Sequence, residues 1–387
     1  MTSLARHTDE PLAIDQPCAL LGGLTPRQFM RRHWQRKPLL IRQALPGFEP
    51  LLSRAQLFAL AGREEVESRL IVREPEGRWR LRHGPFTRTA LPPLKRPGWT
   101  LLVQGVDLHV EAAHRLMRRF RFVPDARLDD LMVSWASEGG GVGPHYDSYD
   151  VFLLQAHGRR RWRIGRLKDP ALQDDVPLKI LRHFEPEQEW VLEPGDMLYL
   201  PPRWGHDGVA EGGECMTYSI GFRVPQRGGL AAELVQRMAD EHEDDALYRD
   251  PAQPATDAPA RLPEAMVDFA RESLARLVAD EGAVRLALGE IMTEPKPRVW
   301  FDPPACAWQP GALELDRRTR MLYDERHVYI NGEALRAAGR DARLMRELAD
   351  RRGLSAQAVR RASAAAQAIL AHWHEAGWLH LKGESLD

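Results

Sequence analysis

The chain has 387 residues, is 43% apolar and 28% charged, and is too long for one ordinary domain; a globular protein of two or three domains fits, whereas collagen, coiled coil and low-complexity disorder do not. With 54 Lys+Arg against 55 Asp+Glu, the net charge of -1 leaves no global electrostatic footprint for DNA or an anionic membrane. Cys18, Cys215 and Cys306 form no CxxC pair, which argues against a disulfide framework or a zinc ribbon and suits a reducing compartment.

The N-terminus, MTSLARHTDEPLAID, is too polar for a signal peptide, and no run of about 18 apolar residues exists to span a bilayer, so the expected location is cytoplasmic. Thr25 as N-cap and Pro26 at the first helical position open a short helix through Phe29, Met30 and Trp34, stopped by Pro38. A second helix is expected over 53–60, then short strands at 69–73 and 78–82 around the turn Glu74-Pro75-Glu76-Gly77. A helix over 109–120 precedes most of a strand-rich region, with strands expected at 99–104, 131–136, 150–155, 160–164, 190–192, 197–200 and 215–223. Glycine and proline punctuate them, which predicts a sandwich or barrel of the jelly-roll kind. Residues 226–300 read as helical, interrupted by a Pro/Ala-rich linker at 250–263. Beyond a proline-rich passage, a hairpin at 319–330 turning at Asp324 and Glu325, then helices at 342–349 and 362–374, is compatible with a winged helix.

The chemistry concentrates in Gly139-Gly-Gly-Val-Gly-Pro-His145-Tyr-Asp147. On an extended segment, residues two apart project to the same side, so an imidazole and a carboxylate can converge on one ion. His-x-Asp alone recurs by chance and can be a capped turn. His206, in a Pro-Gly-Asp…Pro-Pro-x-Trp-x-His segment after a short strand, is the candidate second imidazole. Two histidines and one carboxylate on one face form the facial triad of non-haem Fe(II) oxygenases. His372 and His374 lie two apart on a helix and face different ways; His109, His114, His157 and His183 lack a matching partner.

Gly158-Arg-Arg-Arg-Trp-Arg-Ile164 is an independent clue. On a strand, Arg160 shares a face with Trp162 and Ile164, which should point inward. A buried guanidinium is costly unless paired, either with a bound dicarboxylate or with an internal Asp or Glu. Ser134 can add a hydroxyl to the same carboxylate or be merely a small strand residue. Tyr149, Asp150 and Tyr199 are further candidates to line the pocket.

These residues together resemble the JmjC-type 2-oxoglutarate oxygenases, and more narrowly the bacterial ribosomal oxygenases that hydroxylate an arginine of a large-subunit ribosomal protein. The resemblance lies in Asp129-Asp-Leu-Met-Val-Ser134, GGGVGPH-x-D, Tyr149-Asp-Val-Phe, GRRRWRIG, EPGDMLYLPP and Tyr218-Ser-Ile-Gly-Phe-Arg223. It implies an α+β chain: N-terminal helices and a distorted double-stranded β-helix (JmjC/cupin jelly roll) over 1–226, with the barrel at 96–226. A helical dimerisation region over 227–300 and a winged-helix domain over 301–387 would follow. It further implies Fe(II) held by His145, Asp147 and His206 as the catalytic centre, and 2-oxoglutarate bound through Arg160 with help from Ser134. A homodimer acting on a ribosomal-protein arginine at C3 is the implied assembly and substrate, with no membrane and nucleic acid not the primary partner.

Two other classes account for part of the pattern. A cupin-like metal enzyme would use the same ligands without 2-oxoglutarate. A nucleic-acid-binding protein would use the winged helix and the basic clusters Arg31/Arg32/Arg36/Lys37 and Arg115/Arg118/Arg119/Arg121, with an inactive barrel.

Overall fold

The computed structural model describes residues 12–241 and 244–382; residues 1–11, which carry most of the polar N-terminal stretch, lie outside them. The chain divides into two compact units, Met1–Val224 and Pro225–Asp387.

The first unit opens on helix α1 (Pro26–Arg32). Its N-terminus is a capping box: Gln28 N donates to Thr25 Oγ1 at 3.0 Å, and Thr25 N donates to Gln28 Oε1 at 3.1 Å. The helix closes at His33, before Trp34 and well short of Pro38, and Gln35 just beyond it takes a left-handed φ of +54° that no α-helix accommodates. Strand β1 (Leu39–Ile41) follows, and Ser53 with Gln56 repeats the capping box at α2 (Arg54–Leu60). Next come β2 (Ser68–Arg73), β3 (Trp79–His83), β4 (Trp99–Val103), α3 (Glu111–Arg118) and β5 (Leu128–Ala136). The last strands are β6 (Val151–Arg166), β7 (Gln188–Leu192), β8 (Met197–Leu200) and β9 (Trp204–Phe222). Among the described residues these nine strands form one sheet, ordered β1-β8-β6-β9-β5-β4-β2-β3, with β7 also paired to β6.

Segments 150–155 and 160–164, expected as separate strands, are one strand, β6. Segment 215–223 is only the second half of β9. Both are long because each runs through both layers of the jelly roll. Residues 151–154 of β6 pair with β8, residues 160–164 pair with β7, and β9 accompanies β6 throughout. The register slips between Gln155 and His157 and again between His157 and Arg159. Gly158 sits in the slip with φ +61°, and a Cβ there would overlap the Glu214 carbonyl oxygen. Such a bulge reverses which parity of residue faces the interior. Before it, Val151 and Leu153 enter the apolar cluster formed with Leu198 and Leu200; after it, Trp162 and Ile164 enter the same cluster. On the other face Phe152, Leu154 and Tyr199 join the larger core around Phe29 and Trp99.

The second unit begins with helices α4 (Arg227–Glu241), α5 (Glu264–Leu277) and α6 (Glu281–Thr293), and residues 250–263 carry turns but no helix or strand. Then follow β10 (Leu313–Leu315), β11 (Met321–Tyr323), β12 (His327–Ile330), β13 (Glu333–Arg336), α7 (Gly339–Arg351), β14 (Gly353–Leu354), α8 (Ala356–Arg360), α9 (Ala364–Glu375) and β15 (Leu379–Leu381). The hairpin forms where expected: Asp324 Oδ1 accepts from the Arg326 and His327 amides, both at 2.7 Å, and so fixes the turn. Leu313, Leu348, Leu370, Trp373 and Leu379 close a core between α7, α9 and the short strands, the winged-helix arrangement. On α9, His372 is exposed and His374 buried, facing different ways. Among the described residues no helix is long and apolar enough to cross a membrane.

A Gly158→Ala substitution should cost about 1–3 kcal/mol in urea denaturation, from backbone strain and the Glu214 clash. Gly228→Ala, in helix α4 with open space around it, should cost nothing measurable.

Candidate metal centre

The glycine-rich loop after β5 runs antiparallel to the start of β9 and is stitched to it through the backbone. Gly139 N donates to Ala210 O at 3.0 Å, and Ala210 N to Gly140 O at 2.9 Å. His145 and His206 exchange both main-chain bonds, at 2.9 and 2.8 Å. Arg203 N, in the turn after Pro201-Pro202, donates to Asp147 O at 2.8 Å. Gly141 must be glycine for this approach, since a Cβ would lie 2.5 Å from the Gly208 carbonyl oxygen.

The stitching brings together side chains that are distant in sequence. One ligand atom each from His145, Asp147 and His206 lies within 4.8 Å of the others, and this is the cluster of that kind found among the described residues. The imidazole centroids are 4.2 Å apart, and His206 Nε2 is 3.5 Å from Asp147 Oδ2. Each imidazole is tethered by its other nitrogen: His145 Nδ1 donates to Gly143 O at 2.9 Å, and His206 Nδ1 to Trp204 O at 3.0 Å. A carbonyl can only accept, so both Nδ1 atoms carry the proton and both Nε2 lone pairs are free for an ion. Burial, followed by the nearby His145 charge, pushes His206 down to about 4, which keeps it in the neutral, ligating form near pH 7. Donor set and tautomers therefore fit a divalent transition metal with positions left open.

The paired strands β6 and β9 present three rows of side chains to the interior: Arg160 opposite Ala210, Trp162 opposite Gly208, and Ile164 opposite His206. Arg160 is 3% exposed. Its Nη1 donates to Ser134 Oγ at 3.3 Å and its Nη2 to Gly208 O at 3.0 Å, while the buried Nε has no acceptor. Among the described residues no carboxylate forms an ion pair with it. Arg161 and Arg163, on the opposite face, pair with Glu189, Glu211 and Asp207. A buried cation with neutral partners only can take an anion from outside the chain. Ser134 Oγ in turn donates to Thr217 O at 3.4 Å, which leaves it poised beside the guanidinium.

Two further candidates fall elsewhere. Asp150 and Tyr199 pair in a separate buried network, where Tyr199 OH donates to Asp150 Oδ1 at 2.6 Å and Gln35 and Arg127 reach Asp150 Oδ2. Tyr199 cannot line the pocket because it lies on the face of β8 opposite Leu198 and Leu200. Tyr149, 39% exposed, does stand at the site: burial and then the neighbouring Asp147 carboxylate raise its phenol. Sequence reasoning missed Cys215, Gly208 and the place of Trp162. Burial raises the Cys215 thiol, and the adjacent Arg160 guanidinium pulls partly against it. Only the β6–β9 register, which no sequence pattern prints, brings these residues beside Arg160.

His206 binds its proton far less readily folded than unfolded, so the metal-free fold should be fully stable above about pH 6.5 and lose up to roughly 3 kcal/mol as pH falls toward 4. Denaturant midpoints of the metal-free chain between those values should show the loss, and His206→Gln should flatten it.

The JmjC domain family matches residues 115–230 and the ROXA-like winged helix matches residues 276–380, which also takes in α6. The chain is 35% identical over 327 residues to the ribosomal protein uL16 3-hydroxylase of Escherichia coli K12, covering 81% of this chain and 86% of that one. An X-ray structure of E. coli YcfD superposes with a TM-score of 0.82 at 32% identity, covering 92% of this chain and 98% of that one. A structure of the E. coli ribosomal oxygenase YcfD in complex with cobalt and 2-oxoglutarate gives 0.79 at 33% identity, covering 93% and 99%. Barrel, ligand cluster, winged helix and near full-length similarity agree: the chain belongs to the JmjC ribosomal oxygenase family of 2-oxoglutarate- and Fe(II)-dependent enzymes.

Proposed function

We propose that the chain is an Fe(II)- and 2-oxoglutarate-dependent hydroxylase that modifies an arginine of a large-subunit ribosomal protein at C3, working in the cytoplasm as a homodimer. The observation that carries the oxygenase reading is the meeting of three ligand atoms within 4.8 Å beside a buried guanidinium that no internal acid neutralises. The second half of that observation disfavours a cupin enzyme working without 2-oxoglutarate, for which Arg160 would be a buried charge with no purpose. The protein substrate follows the similarity to the uL16 3-hydroxylase.

In this reading His145 and His206 offer Nε2 and Asp147 a carboxylate oxygen, all from one side of the ion. When bound, Fe(II) with 2-oxoglutarate and O2 would supply the oxidative chemistry, in which the 2-oxo acid loses CO2 and takes one oxygen atom of O2 to become succinate while the other enters a substrate C–H bond. Arg160 binds the distal carboxylate of the 2-oxo acid, with Ser134 Oγ oriented at its edge. Trp162, Ile164, Leu198 and Leu200 make the barrel interior dry, which strengthens that charge pair and excludes water from the reacting centre.

We assign 1–226 to the catalytic barrel with its N-terminal helices, 227–300 to dimerisation and 301–387 to the winged helix. None of the residues of α5 is buried, although Met266 is 41% and Leu274 57% exposed; a second copy of the chain would cover this apolar stripe.

Anaerobic loading with Fe(II), then 2-oxoglutarate, O2 and ribosomal-protein peptides, should give succinate and a peptide carrying one added oxygen atom by mass spectrometry. His145→Ala should abolish both. Arg160→Ala should raise the KM for 2-oxoglutarate by about 100-fold or more, since it removes a desolvated charge partner. Unmodified peptides with no succinate would reject the assignment. Leu274→Glu should shift the chain from dimer to monomer by light scattering and leave peptide-independent 2-oxoglutarate turnover intact.

A further inference from the structure

Between the guanidinium row and the metal-ligand row of the β6–β9 pair stands one large side chain. Trp162 has the Arg160 guanidinium over its ring at 5.0 Å from the centroid, and its ring lies 5.9 Å from that of His206. Its cross-strand partner is Gly208. A Cβ at Gly208 would lie 2.6 Å from Trp162 Cη2 and Cζ3 and 2.7 Å from Arg160 Nε, so the missing side chain is the space that the stacked pair occupies. Trp162 Nε1 is buried and without an acceptor in the protein, as is Arg160 Nε two residues away. Filling this row for packing alone would favour an aliphatic residue, which leaves no donor unpaired. What the tryptophan adds is a flat face against the guanidinium. Arg160 is otherwise held through its two Nη atoms and the neighbouring Cys215 thiol, and a long side chain so held can still rotate its plane.

We propose that Trp162 is a positioning residue for the 2-oxo acid: stacked on Arg160 in the space that Gly208 leaves, it fixes the plane and depth at which the guanidinium meets the distal carboxylate. This rests on the 2-oxoglutarate reading above. Trp162 acts through Arg160 and need not touch the ligand. Its removal therefore weakens only ligands that carry the second carboxylate.

The test is calorimetric titration of the full-length, Co(II)-loaded chain with 2-oxoglutarate and with 2-oxopentanoate, which has a methyl where the distal carboxylate stands. Trp162→Leu should weaken 2-oxoglutarate by about tenfold and leave 2-oxopentanoate within about twofold. Trp162→Phe, which keeps a ring face, should restore most of the affinity. Gly208→Ala, which presses on the pair from the facing strand, should reproduce the selective loss. In an Arg160→Ala chain, adding Trp162→Leu should change nothing further. Equal weakening of both acids, an unchanged 2-oxoglutarate affinity, a Phe variant as weak as Leu, or an additive effect without Arg160 would each overturn the proposal. A wild-type chain that binds 2-oxopentanoate as tightly as 2-oxoglutarate would overturn the cosubstrate reading itself, and the role of Trp162 with it.

Discussion

The pair of main-chain hydrogen bonds between His145 and His206 is the constraint on which the rest of the site depends. It makes one residue of an irregular loop directly opposite one residue of a regular strand. Because Asp147 follows at the next same-side position and is itself held by the Arg203 amide, the three candidate ligands are placed by backbone pairing, before any side chain chooses a rotamer. The side chains then need only local ties, and each imidazole has one, to a carbonyl two residues upstream. A preorganised site of this kind loses little conformational entropy when it binds its ion.

The anion end of the pocket is built on a second constraint, the bulge around Gly158. Strand parity is unforgiving: had the slip not occurred, Arg160 would share the face of Phe152 and Leu154, and Arg159 and Arg161 would turn toward Leu198 and Leu200. The bulge also lets one strand serve both layers. The candidate ligand His206 and the guanidinium of Arg160 consequently share a single pair of strands, and Trp162 fills the row between them.

Much of this was legible in the chain. His-x-Asp with a remote histidine after Pro-Pro named the three residues that the fold clusters, and the Arg-x-Trp-x-Ile alternation named the inward guanidinium, because both are short-period patterns that survive without knowledge of the fold. The capping residues Thr25 and Ser53 announced their helices for the same local reason. What remained hidden was relational. The glycine and charges of 156–159 read as a break between strands, since a bulge and a strand end look alike in sequence. Gly208 carries no signal until the register sets it against Trp162. Tyr199 and Asp150 looked like pocket residues because they sit near the motifs, yet the pleat turns them into the core behind the barrel.

That Arg160 and His206 share one ladder has a bearing on how such a protein can diversify. Positions 160 and 206 are locked to each other through the intervening pairs 162–208 and 164–206. An insertion or deletion anywhere in that stretch would move the two ends together out of phase, so lineages can vary this catalyst by exchanging side chains in place or by remodelling the loops around it, while the length of the ladder itself stays frozen.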